Sequence, residues 1–314
     1  MNLPSLSDIR GAHSRIVPFI HRTPVLSSSL LNSIFGCELF FKCENFQKVG
    51  AFKFRGATNA VLSLSSEEKK RGVVTHSSGN HAAALALAAR MNGVRAQIVM
   101  PENAPVVKKN AVAGYGAEIT FCQPTQQARE ATTLKIVEKT GAVLVHPYDN
   151  FNVICGQGTA ALELLDEITE PDIIVAPVGG GGLLSGTATC VRGISPGTKV
   201  IGAEPLNADD ASRSFSSGIL EPSVNPQTIA DGLLTSLSEL TFQIIRNSVD
   251  SILTAKEETI VECMMLIWER MKIVIEPSSA TVLAIIRENP GIFTGKKIGL
   301  IISGGNVDLR KLPF

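Results

Sequence analysis

Short apolar runs rich in β-branched residues recur along the chain and alternate with stretches that have a helical composition. They include residues 72–74, 96–100, 142–145, 173–176, 199–202 and 298–302. Because they lack a polar residue at every second position, these runs are typical of strands buried on both faces of a parallel sheet. The helical stretches include residues 81–92, nearly all alanine and leucine, and residues 258–271. The alternation predicts an α/β fold.

The overall composition is that of a neutral protein with ample core. The chain has 314 residues, of which 44% are hydrophobic and 18% charged. This length predicts roughly two domains. Lysine plus arginine and aspartate plus glutamate each number 29, so the formal net charge is zero. A neutral chain has no overall field to hold a nucleic acid or an anionic membrane, so we expect neither partner.

The cysteines and the amino terminus indicate a reduced, cytoplasmic location. No two of the six cysteines stand in a C-x-x-C spacing, so neither a zinc ribbon nor a thioredoxin-type motif is expected. Residues 1–5 show no basic region followed by an apolar stretch. No apolar run approaches the roughly 18 residues of a membrane span. The thiols are therefore expected to act as small core hydrophobes.

Four consecutive glycines, residues 179–182, connect the apolar run at 173–176 to a helical stretch. Glycine lets successive backbone N–H groups converge on one point, and the following helix adds its positive amino-terminal end. The pattern predicts a phosphate site, and the alternative is a tight turn without a ligand. Its spacing matches neither G-x-G-x-x-G nor the P-loop, so a dinucleotide or a Walker-type ATP site is not expected.

Two further polar clusters follow apolar runs. Residues 75–81 read Thr-His-Ser-Ser-Gly-Asn-His, and residues 302–306 read Ile-Ser-Gly-Gly-Asn. The first cluster is either a set of helix caps or a carboxylate-binding site at a helix start. Ligands of open α/β sheets collect at the carboxyl ends of strands. We therefore expect the glycine turn and both polar clusters to share one site.

One lysine lies in an unusual setting. Lys53 stands between Phe52 and Phe54, with Arg55 two residues later. The ordinary alternative is an exposed lysine in a salt bridge. A lysine in an apolar pocket near another cation has a lowered pKa and becomes a nucleophile, which is how Schiff-base lysines arise. Lys53 is therefore a candidate nucleophile.

Four motifs together resemble the fold-type II pyridoxal-phosphate enzymes, in particular the serine racemases and serine/threonine dehydratases. They are residues 51–57, 77–81, 179–182 and 303–306, which match in order and separation over almost the whole chain. The resemblance implies a tryptophan synthase β-like α/β fold with two open, twisted, mostly parallel sheets and flanking helices. It also implies a large cofactor-binding domain, residues 1–62 and 148–314, and a small mobile domain, residues 63–147, with the site between them.

The resemblance assigns roles to individual residues. It makes Lys53 and Ser78 the catalytic pair on opposite faces of pyridoxal 5'-phosphate, with Lys53 as the Schiff-base lysine. The residues that would bind the cofactor are Phe52, Lys53, Asn80, Gly179, Gly180, Gly181, Gly182, Leu183 and Ser303. Those that would bind the substrate carboxylate are Ser77, Ser78, Asn80 and His81. Those that would hold a divalent cation, Mg²⁺ or Ca²⁺, are Glu204, Ala208 through its carbonyl, and Asp210.

The implied function is racemisation of serine together with dehydration of small β-hydroxy amino acids, L-serine and L-threonine, to a 2-oxo acid and ammonia. The enzymatic alternative is a dehydratase chiefly for threonine or 3-hydroxyaspartate, and the non-enzymatic one is a regulatory paralogue. Tyr148 stands at a pocket position where the mammalian serine racemases differ, so the preferred substrate stays open. Val49 and Ala83 replace polar side chains of those racemases, so activation by ATP stays open too. The group also implies a homodimer.

Overall fold

The computed structural model describes residues 2–77, 79–104 and 106–312, apart from the side chain of Val107. The strands of these residues are β1 Val25–Leu26, β2 Glu38–Cys43, β3 Val73–His76, β4 Ala96–Pro101, β5 Glu118–Cys122, β6 Val143–Leu144, β7 Ile173–Pro177, β8 Lys199–Pro205, β9 Ser251–Ala255 and β10 Lys297–Ile302. The α-helices are α1 Leu6–Ile16, α2 Ser29–Phe35, α3 Lys53–Leu62, α4 Ser66–Arg71, α5 Asn80–Met91, α6 Val106–Gly114, α7 Gln126–Thr140, α8 Phe151–Glu167, α9 Gly182–Ile194, α10 Asp210–Ser217, α11 Glu239–Ser248, α12 Glu257–Met271, α13 Pro277–Glu288 and α14 Pro290–Phe293.

The described strands form two sheets. The larger has the order β1-β2-β10-β7-β8-β9 and is parallel except for the antiparallel pair β1 and β2. The smaller has the order β5-β4-β3-β6 and is parallel throughout. Parallel strands require crossover connections, and here helices provide them. The predicted α/β fold with two mostly parallel sheets is confirmed.

The larger sheet is buried on both faces, as its apolar runs predicted. Along β7, Ile173 and Val175 join the core cluster that contains α12 and α13. Ile174 and Ala176 join the cluster on the other face, which contains α8 and α9. Successive residues of a strand point to opposite faces, so a run with no polar residues is what a sheet between two helical layers requires.

Helix α8 runs through a segment that contains two glycines, since the chain is helical from residue 151 onward. Gly156 and Gly158 lie where α8 touches its neighbours. A Cβ atom on Gly156 would lie 2.6 Å from Cα of Gly56 in α3, and one on Gly158 would lie 2.7 Å from the carbonyl oxygen of Gly186 in α9. Glycine disfavours an isolated helix, but these glycines permit close helix packing.

The smaller sheet has its own core, and α3 contributes to it. Phe54, Ala57 and Val61 of α3 belong to one apolar cluster with Val73 of β3 and Ile98 of β4. Strands of the smaller sheet lie within residues 73–144, and those of the larger sheet lie outside that range. The helix that begins at the candidate lysine therefore contributes to the core of the smaller sheet. The domain limits at 62/63 and 147/148, and the mobility of the small domain, stay predictions.

Two further observations concern the expected location. The six cysteines are all buried as free thiols. No helix among the described residues is long and apolar enough to cross a lipid bilayer.

Candidate active site

The glycine turn and both polar clusters follow strands directly, as predicted. The first polar cluster begins in the last two residues of β3, the glycine turn follows β7, and the last cluster begins at the final residue of β10. The backbone N–H of Phe52 donates to the carbonyl of Ser303 at 2.9 Å. The side-chain amide of Asn306 donates to Asn80 Oδ1 at 2.9 Å. These contacts join the lysine segment, the start of α5 and the end of β10 at one site between the two sheets.

The glycine turn presents a row of buried amides. Gly181 has a φ of 85°, a left-handed conformation that favours glycine, and α9 begins at the next residue. Residues 179–183 are all buried, and no described residue accepts a hydrogen bond from their backbone N–H groups. Buried amides are nearly always paired, so this row calls for an acceptor from outside the described chain. Together with the helix start, it fits the phosphate of pyridoxal phosphate.

Tyr148 packs against this turn. A Cβ atom on Gly180 would lie 2.3 Å from the Tyr148 ring, and one on Gly182 would lie 3.0 Å from Tyr148 Cβ. The ring of His146 packs edge-on against Tyr148 at 4.7 Å and against His76 at 5.4 Å. Burial raises the pKa of Tyr148 to about 12 and lowers that of His146 to about 4. These rings therefore form an uncharged wall at neutral pH.

Lys53 is the first residue of α3, and its Nζ donates to the carbonyl of Pro147 at 3.0 Å. Nζ also lies 5.1 Å from the centroid of the Phe52 ring. Burial lowers the pKa of Lys53 to about 8, while the negative charge of Glu276 opposes that shift. An amine with this pKa is partly neutral near physiological pH, as a nucleophile must be.

Arg55 is not the neighbouring cation that the sequence suggested. Its guanidinium donates to both oxygens of Glu44 at 2.7 and 2.8 Å and to both oxygens of Glu163 at 2.8 and 2.7 Å. Lys42 Nζ completes the buried cluster at 2.7 Å from Glu163. The charges of the two cations and the two carboxylates in this cluster cancel. Burial, and not the charge of Arg55, therefore lowers the pKa of Lys53. Arg55 instead anchors the start of α3.

A buried glutamate that the sequence did not reveal orients the amide of Asn80. Asn80 Nδ2 donates to both carboxylate oxygens of Glu276, at 3.1 and 3.2 Å. The backbone N–H of Asn306 also donates to Glu276, at 3.2 Å. With Oδ1 accepting from Asn306, the amide can face only one way. The two oxygens of one carboxylate lie too close together to be reached by two diverging N–H bonds, so they share one N–H of Asn80 and the other is left for a ligand. Burial raises the pKa of Glu276 to about 7.

His81 lies in the first turn of α5, but its imidazole ring is directed at the carbonyl of Val145. His81 Nε2 lies 3.1 Å from the carbonyl of Val145, so Nε2 carries the proton. His81 Nδ1 is buried and has no partner among the described residues. Burial lowers the pKa of His81 to about 3, and the neutral ring offers a lone pair, not a donor, at Nδ1. Any contact of His81 with a carboxylate would therefore use its backbone N–H.

Of the remaining predicted site residues, Ser77 and Ser303 are among the described residues and Ser78 is not. The Ser77 hydroxyl accepts a hydrogen bond from the backbone N–H of Gly79 at 3.3 Å. Ser303 is buried, and its hydroxyl lies 3.0 Å from that of Ser279 on α13. Ser78, predicted as the second catalytic group, lies outside the described residues. Ser279, like Glu276, was missed because its local sequence indicates only a helix start with proline at the first turn.

The predicted cation ligands lie at the end of β8 and the start of α10. Both oxygens of Asp210 are buried and lack hydrogen-bond partners among the described residues. The oxygens of Glu204 accept from the backbone N–H groups of Ala211 and Ser212 at 2.9 and 2.8 Å. The described residues contain no group of three His, Cys, Asp or Glu side chains arranged to hold a metal ion, so this set would need the Ala208 carbonyl and water. An unpartnered buried carboxylate fits a hard cation.

The comparisons agree with this geometry. A family model described as pyridoxal-phosphate dependent enzyme matches residues 16–304. The β-hydroxyaspartate dehydratase of Paracoccus denitrificans is 50% identical over 314 residues, covering 100% of both chains. The serine racemase of Dictyostelium discoideum is 52% identical over 312 residues, covering 98% of this chain and 96% of that protein.

Solved structures agree as well. The crystal structure of the Dictyostelium discoideum serine racemase has a TM-score of 0.93 at 53% identity, covering 97% of this chain and 99% of that one. The crystal structure of the T.th. threonine deaminase has a TM-score of 0.93 at 45% identity, covering 98% of this chain and 99% of that one. The chain belongs to the family of pyridoxal-phosphate-dependent enzymes.

Proposed function

We propose that this enzyme racemises serine and dehydrates L-serine and L-threonine to a 2-oxo acid and ammonia. The observation that carries the proposal is the row of buried amides at residues 179–183 that have no acceptor among the described residues, in a site whose lysine has its pKa lowered to about 8. The relatives named serine racemase, β-hydroxyaspartate dehydratase and threonine deaminase support it.

Pyridoxal phosphate, when bound, supplies a sink for the electrons left on the substrate Cα after proton removal. Its phosphate would be held by the amides of residues 179–183 and its phenolic oxygen by the free N–H of Asn80. Phe52 would pack on the ring, and Ser303 would contact the ring nitrogen. The lowered pKa lets the neutral Lys53 Nζ accept a proton and return it at the same atom.

The substrate carboxylate would bind at the start of α5, where Ser77 precedes the helix and Asn80 is its first residue. The backbone amides of that turn carry partial positive charge, which favours an anion. Because the His81 ring faces Val145, the main chain would supply the His81 contact. Fixing the carboxylate also orients the Cα–H bond toward a proton acceptor.

Ser78 is the proposed second proton-transfer group, on the face opposite Lys53. Two groups on opposite faces let a proton leave from one side and return on the other, which inverts Cα. Dehydration of L-serine requires proton transfer only by Lys53, on one face of the substrate Cα. Replacement of Ser78 by alanine should therefore abolish racemisation and reaction with D-serine while dehydration of L-serine persists.

A second candidate is a dehydratase chiefly for 3-hydroxyaspartate. The Paracoccus denitrificans relative, 50% identical over 314 residues, carries that name and favours it. Against it, a second substrate carboxylate near Tyr148 and His146 would meet rings that are uncharged at neutral pH. Chief action on threonine is the remaining alternative, since a methyl group suits the same uncharged wall.

A panel of L- and D-serine, L- and D-threonine and the 3-hydroxyaspartates tests the function, with 2-oxo acid and enantiomer measured in parallel. The wild type should form D-serine and pyruvate from L-serine, and Lys53→Ala should form neither. Turnover of 3-hydroxyaspartate alone would overturn the proposal in favour of the second candidate. A colourless protein without a borohydride-trapped adduct on Lys53 would overturn both.

The remaining expectations belong to the same proposal. They are a Mg²⁺ or Ca²⁺ ion at Glu204, Ala208 and Asp210, a homodimer, and a cytoplasmic location. Light scattering of the purified holoenzyme tests the homodimer. Titrating ATP against the dehydratase rate decides whether the nucleotide activates, which Val49 and Ala83 leave open.

A further inference from the structure

One ion pair joins the regions of the two sheets. Lys108 Nζ lies 2.7 Å from Asp231 Oδ2. Among the ion pairs of the described residues, it alone links a side chain within residues 63–147 to a side chain outside that range. The two side chains are 34% and 52% exposed, so the attraction between them is modest and is screened by salt.

Lys108 belongs to the region of the smaller sheet. It lies on α6, and Val112 of the same helix is part of the apolar cluster of that sheet. The adjacent Lys109 stays within this region, since its Nζ donates to the carbonyl of Glu102 at 2.6 Å and lies 5.1 Å from the centroid of the Phe121 ring. The two neighbouring lysines therefore differ in whether they reach the larger-sheet region, and Lys109 supplies a matched control.

Asp231 begins a short 3₁₀ turn, residues 231–233, which we call the backing turn. It lies in the irregular segment that connects α10 to α11. A Cβ atom on Gly179 would lie 2.9 Å from Cα of Leu233 and 3.2 Å from the carbonyl oxygen of Gly232. The main chain of the backing turn therefore lies directly against the first residue of the glycine turn.

Contacts from both sheet regions hold the backing turn. On the larger-sheet side, the backbone N–H of Gly232 donates to the hydroxyl of Ser278, in the first turn of α13, at 3.1 Å. On the smaller-sheet side, Asp231 accepts from the ammonium of Lys108. Both charges also reach Glu276, since burial raises the pKa of Glu276 to about 7, Asp231 adds to the shift and Lys108 opposes it. The ion pair therefore lies close to the candidate site.

We propose that Lys108 is a positioning residue that, through Asp231, holds the backing turn against the glycine turn and keeps the amides of residues 179–183 arranged for the cofactor phosphate. The inference rests on the cofactor site of the proposed function. An anion binds more tightly to donors that are already in place, because less conformational freedom is lost on binding. Without the ion pair, Ser278 alone of these two partners holds the backing turn.

Loss of the ion pair should weaken cofactor binding without abolishing it. The Kd for pyridoxal phosphate should rise about two- to fivefold in Lys108→Met and to a similar extent in Asp231→Asn. The double variant should lose no more than either single variant, because both substitutions remove the same contact. A long-range effect of charge on the phosphate would instead act in opposite directions, weakening binding in Lys108→Met and tightening it in Asp231→Asn.

The test is a fluorescence titration of each apoenzyme with pyridoxal phosphate. Lys109→Met should keep the wild-type Kd. The ratio of the Lys108→Met Kd to the wild-type Kd should fall toward one at about 1 M salt, where the Debye length is about 3 Å. The exchanged pair Lys108→Asp/Asp231→Lys should recover most of the lost affinity, because the two charges attract again.

Wild-type affinity in Lys108→Met, or tighter binding in Asp231→Asn, would overturn the inference. An exchanged pair that binds no better than Lys108→Met would overturn it as well. If Lys108→Met does not fold, Lys108→Gln takes its place, and wild-type affinity there has the same meaning. Failure of the proposed function is distinguishable, because the titration measures cofactor binding, whereas D-serine and pyruvate measure the reactions.

Discussion

The side-chain amide of Asn80, at the start of α5, donates to the carboxylate of Glu276, just before α13, at 3.1 and 3.2 Å. The two residues are 196 positions apart in the chain and lie on elements that flank different sheets. The bond therefore couples the orientation of a proposed cofactor ligand to a buried ionisable group. Its strength depends on whether that group is charged.

Glu276→Gln should flatten the pH dependence of stability. Burial raises the pKa of Glu276 from 4.5 to about 7, so between these values the folded state binds more protons than the unfolded state. The stabilisation is full below the lower value and is lost as the pH rises through about 7. Urea unfolding across this window, at fixed metal concentration, should show a falling free energy of unfolding in the wild type. The exposed control Glu239→Gln should keep that slope, and parallel curves for all three proteins would contradict the prediction.

Capture of the cofactor by the apoenzyme should accelerate with pH. Burial lowers the pKa of Lys53 to about 8, and only the neutral amine attacks an aldehyde. Rapid-mixing absorbance should show a rate that rises through about pH 8 and then levels off. In Glu276→Gln the midpoint should move lower, because the negative charge that raises the pKa of Lys53 is gone. A rate that is independent of pH from 6 to 10, roughly the window around this pKa, would contradict the assignment of Lys53.

Gly180→Ala should destabilise the protein and weaken cofactor binding. The added Cβ would lie 2.3 Å from the Tyr148 ring, so the turn or the ring must move. Overpacking of this kind costs about 1–3 kcal/mol. Urea unfolding and cofactor fluorescence titration provide the measurements, with Gly197→Ala, where a Cβ meets nothing within 4 Å, as the matched control.

The Gly180→Ala effect should be relieved when the ring is removed. In the double variant Gly180→Ala/Tyr148→Ala, the cost of the alanine should be smaller than in the wild-type background. Equal stability of Gly180→Ala and Gly197→Ala would show that the turn does not need its close approach to Tyr148.

Asp210→Asn should abolish stabilisation by divalent cations. Wild-type melting temperature should rise with Mg²⁺ or Ca²⁺, by the equivalent of about 2.7 kcal/mol at a hundredfold excess over Kd. In chelator the variant should be at least as stable as the wild type, because burial disfavours the charge of Asp210 and raises its pKa to about 6. The control Asp209→Asn loses only an exposed pair with Arg213 and should keep the metal response. A melting temperature unaffected by either cation would rule out the site.

Most strands that the sequence predicted are buried along most of their length, and the short edge strand β6, which is half-buried or exposed, is the exception. Each apolar run became one of β3, β4, β6, β7, β8 or β10. Strand β2 was not predicted because it carries Lys42, a buried charge that has Glu163 as its partner far along the chain. Strand β5 was not predicted because most of its residues are only partly covered. The alternation of polar and apolar residues along a sequence does not show whether a lysine is buried with a charged partner or exposed to solvent.

By itself, the sequence determined the fold class, the position of the glycine turn and the choice of Lys53 as the candidate nucleophile. These depend on apolar runs and on backbone freedom, which are local properties. Only the tertiary structure showed that Arg55 is neutralised by Glu44 and Glu163, that Glu276 orients Asn80 and that Ser279 contacts Ser303. The physical reason is that a buried polar group is defined by its partners, and those partners come together only when elements distant in the chain pack.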